Sequence, residues 1–430
     1  MATLKAVRGT RDLLPPETAL WNRIEATARA VFARYNFGEI RTPVFEDTSL
    51  FSRSVGEETD IVSKEMYTWE DRARAQSEKS QLLTLRPENT AGVVRAYIEH
   101  KLGESGQLQK LYYIGPQFRR ERPQKGRYRQ FSQIGAEVIG PPSAGSESPL
   151  RDAEVLEMLA TLLDELGITG WTLELNSVGS AADRARYNET LRQALIPVAP
   201  QMCEDCQRRA VTNPLRVLDC KVPEDQAIID KLPKIADSLD ENSKAHFAAV
   251  TAALDAAGVP YTRNHRLVRG LDYYTRTTFE FTHGGLGAQN ALLGGGRYDG
   301  LSEAIGGPKA PGIGFAMGED RLVLTLQSLQ SAPTQVADAY IAPLGESVNP
   351  AALALARELR RGGLTVELGD GSFRLKKSFD AADKTARRIV IMGEDEVASG
   401  ILTVKDFSTG IQTKVPRAEL AGVLKAPSDQ

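Results

Sequence analysis

LYYIGPQFRRERPQKGRYRQFSQIGAEVIG, residues Leu111 to Gly140, is the stretch on which the predicted fold and function both depend. It has the pattern of a strand, a basic loop and a second strand. Between Arg119 and Arg129 the loop carries six cations against one acid, Glu121, whereas the whole chain has a formal net charge of −3. We therefore expect this loop to bind an anion, either phosphates or the end of a nucleic acid.

Alternation along the second strand separates its side chains into two faces, since successive side chains of a strand point to opposite sides. One face is apolar and consists of Ile134, Ala136 and Val138. The other face combines an aromatic ring, an amide, a glycine and a carboxylate, at Phe131, Gln133, Gly135 and Glu137. The glycine leaves room between the amide and the carboxylate, so both groups can contact one ligand.

By the same parity, Arg119 and Glu121 share one face of the first strand. The hairpin therefore predicts a site on a rigid sheet, with polar groups on its floor and the cationic loop at its mouth. The alternative is an exposed antiparallel hairpin, whose outer face is polar by default.

Length and composition indicate a folded protein of several modules. At 430 residues, the chain suggests about two to four modules. No apolar run approaches the roughly 18 residues of a membrane span, and the N-terminal residues carry charges where a signal peptide is apolar. We expect a cytoplasmic protein with no membrane contact. The three cysteines suit a reducing compartment, and the net charge excludes a generally basic nucleic-acid-binding surface.

The order of the patterns along the chain predicts three further regions. Helical patterns over residues 180–258 indicate an inserted helical subdomain. The segment QSAPTQV, residues 330–336, is a linker candidate. Strands and helices then alternate over residues 337–430, which predicts a separate α/β domain with a mostly parallel sheet.

The cysteines Cys203, Cys206 and Cys220 lie within the helical insertion and raise the question of a metal site. A structural zinc site needs four ligands, and the nearest histidines, His246 and His265, are distant in sequence. We therefore predict no metal site and expect three buried or partly buried thiols.

Glu88 lies at a turn directly before a predicted helix that Asn89 or Thr90 can cap. A carboxylate in that position is usually a capping feature. Glycines recur at positions 294–296, 312 and 314, yet the chain contains neither a G-x-x-x-x-G-K-[ST] nor a G-x-G-x-x-G motif. These glycines either let a planar ring or a phosphate approach the backbone, or they serve tight packing of strands.

Taken together and in this order, the segments resemble class II aminoacyl-tRNA synthetases, and specifically the histidyl-tRNA synthetase family. FGEIRTPVFE is similar to the first motif of the class, FRRERPQKGRYRQFSQIGAEV to the second and PGIGFAMGEDRL to the third. RGLDYYTRTTFE and GGGRYDGL resemble the two histidine-specific signatures and narrow the match. The last domain resembles the anticodon-binding module of the family, so the resemblance covers almost the whole chain.

The resemblance implies an α+β catalytic domain with an antiparallel six-stranded sheet, formed by residues 1–179 and 259–329. The helical insertion at 180–258 interrupts it, and an α/β anticodon-binding domain follows at 337–430. A homodimer with the first motif at its interface is also implied. So are two reactions: L-histidine attacks the α-phosphate of ATP, supplied with Mg²⁺, to give histidyl-adenylate, and the histidyl group then passes to the 3′-terminal adenosine of histidine tRNA.

The resemblance also assigns roles to single residues. Arg119 would hold the α-phosphate and Arg269 would be the second catalytic cation beside it. The rest of the ATP site would be Glu121 on the adenine side, with Arg127 and Arg321 at the outer phosphates. The histidine site would comprise Glu88, Thr90 and Gln133 at the ammonium group, Glu137 and Tyr274 at the imidazole nitrogens, and Tyr273 and Tyr298. The tRNA acceptor end would meet Gln124, Lys125 and Arg129.

Three alternatives differ in function class. The nearest is the synthetase-like regulatory subunit of ATP phosphoribosyltransferase, which binds ligands without aminoacylating tRNA; such proteins usually lack the anticodon module and lose the signatures. A class II enzyme for glycine, proline or threonine is disfavoured by RGLDYYTRT and GGGRYDGL. A pure RNA-binding module is disfavoured because the carboxylates that face into the hairpin site would have no role in it.

Overall fold

The computed structural model describes residues 3–56, 59–71, 80–124, 126–286, 290–329 and 336–426. The chain divides into two compact units, Met1–Ala332 and Pro333–Gln430. Of the linker predicted over residues 330–336, residues 330–335 lie outside the described ranges. No helix within those ranges is long and apolar enough to cross a membrane.

The first unit is built on a large sheet. The strands of this unit are β1 (Gly38–Glu39), β2 (Phe45–Asp47), β3 (Tyr67–Asp71), β4 (Gln81–Leu85), β5 (Gln109–Phe118), β6 (Gln130–Ile139), β7 (Trp171–Ser177), β8 (Thr262–Arg263), β9 (Thr275–His283), β10 (Ala291–Arg297) and β11 (Gly312–Gly318). Strands β2, β4 and β3 form a separate three-stranded sheet in that order. In the described part of the chain, the large sheet has the order β1-β5-β6-β11-β10-β9-β7-β8. The strands from β5 to β7 in that order are antiparallel, which confirms the predicted six-stranded sheet. The two-residue strands β1 and β8 add parallel pairs at its edges.

Helices cover one face of this sheet. The helices of the first unit are α1 (Glu17–Arg34), α2 (Thr48–Val55), α3 (Thr90–Glu99), α4 (Pro149–Leu166), α5 (Ala181–Leu195), α6 (Glu204–Thr212), α7 (Pro223–Ile229), α8 (Glu241–Ala257), α9 (Leu301–Ala304) and α10 (Glu319–Leu329). Residues of α1, α4, α8 and α10 share one hydrophobic core with the strands. The predicted apolar face of β6, Ile134, Ala136 and Val138, lies in that core, so the opposite face of the sheet is left for the polar groups.

The segment predicted as a helical insertion, residues 180–258, is helical in the structure and contributes to two cores. Residues from Tyr187 to Leu239 form their own cluster, which Val178 and Val268 join from outside the segment. Helix α8 packs on α4 instead, and its residues Val250 and Leu254 belong to the core beneath the sheet. The last helix of the predicted insertion therefore supports the sheet directly.

The second unit has strands β12 (Ala339–Pro343), β13 (Val366–Leu368), β14 (Arg388–Met392), β15 (Ile401–Asp406) and β16 (Gln412–Pro416), with helices α11 (Asn349–Arg361), α12 (Leu375–Thr385), α13 (Glu394–Ser399) and α14 (Arg417–Lys425). The sheet order is β13-β12-β14-β15-β16. The pairs β12–β13 and β12–β14 are parallel, whereas β14–β15 and β15–β16 are antiparallel. The predicted mostly parallel sheet is thus wrong for its second half. The connections after β14 and β15 are too short for a parallel crossover, which needs about a dozen residues or more.

A buried ion pair joins the helical layer to the sheet. Asp152 on α4 and Arg297 at the end of β10 are both fully buried, and Arg297 Nε donates to Asp152 Oδ1 over 3.1 Å. Thr277 Oγ1 on β9 donates to the same carboxylate over 2.6 Å, and His246 Nε2 on α8 lies 2.8 Å from it. Burial alone would raise the pKa of Asp152, but the Arg297 charge and hydrogen bonds from His246 and Arg297 lower it to about 2.

We expect Asp152→Asn to destabilise the first unit by about 3–5 kcal/mol at neutral pH, because it leaves the Arg297 charge buried without an anion. The tryptophans Trp21, Trp69 and Trp171 all lie in this unit, so urea denaturation followed by tryptophan fluorescence measures its unfolding. The matched control is Glu165→Gln on the same helix α4, which breaks an exposed ion pair with Arg34 of α1 and should cost about 1 kcal/mol or less.

The pH dependence of this difference follows from the lowered pKa. The stabilisation is fully present well above the unfolded pKa of about 3.9 and is lost as the pH falls toward the folded value of about 2. The gap between the wild-type protein and Asp152→Asn should stay constant from pH 5 to 8 and narrow below about pH 4. An equal denaturation midpoint for the two proteins at pH 7 would contradict the structural role of the pair.

Candidate active site

The polar face of β6 forms the floor of the candidate site, as its alternation predicts. Gln133 lines a cavity above the sheet, and the carboxylate of Glu137 lies over Gly314 of the neighbouring strand. Gly135 is paired across the hairpin with Tyr113, whose hydroxyl would lie 2.3 Å from a Cβ atom at Gly135. The amide and the carboxylate predicted to share a face therefore do so, on either side of a glycine.

The central strands β10 and β11 are rich in glycine. Other side chains of the protein occupy the space above these glycines. A Cβ atom at Gly314 would lie 1.6 Å from Glu137 Oε2, and one at Gly294 would lie 2.5 Å from the Arg269 guanidinium. At Gly296 it would meet the ring of Tyr274 at 2.8 Å. These three glycines make room for rings and charged groups of the chain itself, whereas Gly295, where a Cβ atom would lie 2.1 Å from the Gly314 carbonyl oxygen, serves tight packing of strands.

Four arginines line one cavity at the loop end of the floor. They come from the hairpin, from the segment before β9 and from α10, and they are Arg119, Arg127, Arg269 and Arg321. The cavity is also lined by Glu121, Glu280 and Gln133. The sequence predictions for phosphate-binding cations therefore converge on one place, although the residues are up to about two hundred positions apart.

Each of these arginines is held by a contact of its own. Arg119 Nε donates to the carbonyl oxygen of Pro87 over 2.8 Å, and Arg119 Cζ lies 5.3 Å from the centre of the Phe131 ring. Arg127 Nη1 lies 3.3 Å from Glu121 Oε2. Arg269 forms an ion pair with Glu280, and 24% of its side chain is exposed. The guanidinium groups are therefore oriented in advance at the edge of the cavity.

The electrostatics of this cavity favour an anion. Arg321 Nη1 donates to the carbonyl oxygen of Ala291 over 2.6 Å. Burial lowers the pKa of Arg321, and the neighbouring charge of Arg127 lowers it further. Like charges held together in partial burial cost free energy, and a polyphosphate would relieve that cost by neutralising them.

A buried cluster of polar and aromatic side chains is centred on Glu137, on the same face of β6 as Gln133, which lines the cavity. Thr90 Oγ1 donates to Glu137 Oε1 over 2.8 Å, and Tyr298 Oη donates to Oε2 over 2.7 Å. The ring of Tyr273 lies 4.7 Å from that of Tyr274 and 6.0 Å from that of Tyr298, between centroids. All the residues predicted to surround the imidazole therefore belong to one cluster.

Burial is the main cause of the pKa shifts of Glu137 and of the three tyrosines in this cluster. It raises the pKa of Glu137 to about 8, against the hydrogen bonds from Tyr298 and Thr90 that lower it. Burial also raises the pKa values of Tyr273, Tyr274 and Tyr298, so these hydroxyls stay protonated. The cluster can thus offer both hydrogen-bond donors and a carboxyl group that exchanges a proton near neutral pH.

Glu88, not Asn89 or Thr90, caps helix α3, which corrects the expected cap. Its Oε2 accepts from the backbone N of Thr90 over 2.7 Å and its Oε1 accepts from that of Ala91 over 3.0 Å. The Asn89 side chain instead accepts from Thr42 Oγ1 over 2.6 Å. The carboxylate of Glu88 is buried, and burial raises its pKa despite the two backbone bonds.

The residues assigned to the tRNA acceptor end do not line the cavity, and one of them lies outside the residues that the structure describes. Gln124 and Arg127 form a backbone bridge in the loop. Arg129 donates from Nη1 to the carbonyl oxygen of Arg8 over 3.3 Å, and its side chain packs on Gly9. Lys125 lies outside the described residues.

Sequence reasoning missed two residues of the site. Tyr113 shares the site face of β5 with Arg119 by the period of two, and that parity could have identified it. Glu280 holds Arg269, and nothing local distinguished it from the other acids of the chain. The pairing of β9 with β10 places Glu280 directly opposite Gly294. The Arg269 guanidinium lies above Gly294, so this pairing brings the two charged groups together.

Comparison with known families agrees with this geometry. A model described as Histidyl-tRNA synthetase matches residues 9–322, and one described as Anticodon binding domain matches residues 338–426. The two matches together account for both units of the structure.

Full-length relatives carry the same description. A curated protein from Koribacter versatilis named Histidine–tRNA ligase is 74% identical over 97% of this chain and 95% of its own length. One of the same name from Solibacter usitatus is 56% identical over 99% of this chain and all of its own length. The solved structure of an apo histidyl-tRNA synthetase from S. aureus superposes with a TM-score of 0.79 at 37% identity, over 99% of this chain and all of that one. With a family model over most of its length and full-length relatives that share more than half of its residues, this chain belongs to the histidyl-tRNA synthetase family.

Proposed function

We propose that the protein is a histidine–tRNA ligase that activates L-histidine with ATP and transfers it to histidine tRNA. One observation carries the proposal: the buried Glu137 cluster and the four-arginine cavity lie on the same face of the sheet, and Gln133 of that face lines the cavity. Gln133 lies four residues before Glu137 on β6, so the two side chains share one face of the strand. An amino acid bound at the cluster would therefore present its carboxylate to a phosphate held by the arginines.

The chemistry follows from this placement. A carboxylate oxygen of histidine forms a bond to the α-phosphorus of ATP, and the bond to pyrophosphate breaks. A ribose hydroxyl of the terminal adenosine then attacks the histidyl carbonyl carbon and AMP leaves. Neither step requires a covalent enzyme intermediate, so positioning and charge neutralisation supply the catalysis.

The cavity would hold ATP, which enters with Mg²⁺ as part of the substrate. Arg119 and Arg269 would contact the α-phosphate and neutralise the charge that develops there. Arg127 and Arg321 would hold the outer phosphates, and Glu121 would lie on the adenine side. The anchored geometry of Arg119, between the Pro87 carbonyl and the Phe131 ring, supports this assignment because a fixed cation loses little entropy on binding.

The buried cluster would hold the amino acid. Gln133 Oε1 is buried without a hydrogen-bond partner among the described residues, so it can accept from the ammonium group together with Glu88 and Thr90. Glu137 and Tyr274 would pair with the two imidazole nitrogens, with Tyr273 and Tyr298 as walls. A side chain lacking those nitrogens would leave buried polar groups unpaired, which is a strong basis for selection.

Recognition of tRNA would involve both units. Gln124, Lys125 and Arg129 would meet the acceptor end, and the second unit would bind the anticodon. The first motif, FGEIRTPVFE, would form the interface of a homodimer, and the protein would act in the cytoplasm.

Histidine-dependent exchange between ATP and pyrophosphate tests the function. Purified protein with magnesium should catalyse exchange with histidine and with none of the other amino acids. Absence of exchange together with tight histidine binding in calorimetry would favour the regulatory subunit of ATP phosphoribosyltransferase instead. The named relatives do not favour that alternative.

Arg269→Ala should reduce the rate of adenylate formation by about a hundredfold or more, because it removes a charge that acts on the transition state. Pyrophosphate exchange at saturating histidine and ATP measures that rate. Arg263→Ala is the control, since Arg263 is exposed in the same region of the chain and lies over the Phe247 ring. Exchange by Arg269→Ala within a few-fold of wild type would remove the residue from the catalytic role.

Histidine affinity should depend on pH in a way set by Glu137. If the carboxyl and the imidazole share one proton in the complex, binding needs no proton change between the imidazole pKa of about 6.5 and the Glu137 pKa of about 8. Above about pH 8 binding must take up a proton, so affinity should fall by up to tenfold per pH unit; below about pH 6.5 it must release one, and affinity falls again.

Calorimetric titration of histidine from pH 5.5 to 9 measures this profile, with Glu137→Gln as the control. The variant should bind more weakly near pH 7 and should lose the decline that begins near pH 8, while ATP binding changes little. Wild-type affinity that keeps rising above pH 8 would show that an ionised Glu137 receives the imidazole.

A further inference from the structure

Three thiols and one carboxylate meet at a single point in the segment 180–258. The groups are Cys203, Cys206, Cys220 and Asp225, and their ligand atoms all lie within 4.8 Å of one another. Cys206, Cys220 and Asp225 are buried, and Cys203 is partly buried. The fourth group that the sequence lacked for a metal site is therefore an aspartate and not a histidine.

The distances between these atoms fit one tetrahedral ion. Cys203 Sγ lies 3.9 Å from Cys220 Sγ, and Cys220 Sγ lies 3.3 Å from Asp225 Oδ2. Zinc binds thiolate at about 2.3 Å and carboxylate oxygen at about 2.0–2.2 Å, so a regular tetrahedron separates two sulfurs by about 3.8 Å and a sulfur and an oxygen by about 3.6 Å. We propose that Cys203, Cys206, Cys220 and Asp225 bind a structural Zn²⁺ ion.

The backbone around the cluster suits an anionic ligand set. Cys203 N donates to Asp225 Oδ1 over 3.1 Å, and Val222 N approaches Cys220 Sγ at 3.4 Å. Cys203 is the residue before α6 and Cys206 lies in its first turn, which gives the C-x₂-C spacing common in zinc sites. These N–H groups orient ligands and offset the excess of negative charge over the ion.

Two other uses of the cysteines fit the geometry less well. The Cys203 and Cys220 sulfur atoms are 3.9 Å apart, far beyond the 2.05 Å of a disulfide bond. A disulfide between them would also leave the Cys206 thiol next to the Asp225 carboxylate and give neither group a role. A [4Fe–4S] cluster binds each protein ligand through a different iron, and a [2Fe–2S] cluster divides four ligands between two irons, so both spread their ligands further apart than one ion does. Thiolate with a carboxylate around a single point favours zinc.

The ion would stabilise the segments that contact residues 266–270, which include Arg269. The 3₁₀ segment Pro214–Asp219 leads directly into Cys220, and its Arg216 guanidinium lies against Gly270. Gln226, one residue after Asp225, accepts from Arg266 Nη2 over 2.7 Å. Val268 packs in the same core as Cys206 and Cys220. Zinc would thus hold the ligand-bearing segments in place against residues 266–270, without touching substrate.

Metal content of the full-length protein tests the proposal. Protein purified under reducing conditions from zinc-supplemented cells should contain one zinc per chain by elemental analysis. After removal of zinc with a chelator, titration with cobalt chloride should produce a thiolate-to-cobalt charge-transfer band that saturates at one equivalent, and zinc chloride should abolish it. Proteolysis within residues 180–240 should be faster in the chelated protein and slow again when zinc is restored.

Conservative variants separate binding from folding. Asp225→Asn should weaken zinc affinity by tenfold or more in competition with a chromophoric chelator. The control Asp205→Asn removes an exposed acid of α6 that pairs with Arg208, and its affinity should equal that of wild type. The proposal is overturned if fully reduced wild-type protein takes up neither zinc nor cobalt, if the isolated protein holds iron, or if Asp225→Asn binds zinc as tightly as wild type.

Discussion

A fully buried arginine organises the first unit. Arg297 and Asp152 neutralise each other between the helices and the sheet, where an uncompensated charge would cost several kcal/mol. Because side chains alternate along a strand, the residue after Arg297 points the other way. That residue is Tyr298, whose hydroxyl donates to Glu137 in the buried cluster. The ion pair behind the sheet therefore fixes the end of β10 and, through it, the hydrogen bond between Tyr298 and Glu137.

Local sequence predicted the parts of the site that depend on a period of two. The alternation in β6 separated Ile134, Ala136 and Val138 from Gln133 and Glu137, and the structure places the first group in the core and the second in the site. The six-stranded antiparallel sheet followed from motif resemblance and is confirmed. Such patterns are readable because a strand with one buried face must repeat its polarity every second residue.

Other features depended on contacts between distant residues and left no local pattern. Asp225 completes a cluster with Cys203 only after two helices and a 3₁₀ segment fold together. Glu280 pairs with Arg269 because two strands align, and the direction of β15 is set by the length of a connection. The cap of α3 was predicted at the usual positions, but Asn89 is occupied by Thr42 and Glu88 takes its place. In each case a tertiary partner decided between options that were equally favourable locally.

The glycine floor limits how the specificity of this site can evolve. Alanine is the smallest change available at Gly314, and its methyl group would already lie 1.6 Å from the Glu137 carboxylate. A side chain at position 314 would therefore displace the Glu137 carboxylate and would also lie 2.8 Å from the Ala136 carbonyl oxygen. In the proposed histidine site, substitutions at Thr90, Tyr274 or Tyr298 can shorten a side chain or remove a polar atom without adding atoms against a strand. Substitutions at the floor glycines are thus sterically restricted, whereas the surrounding side chains can change more freely.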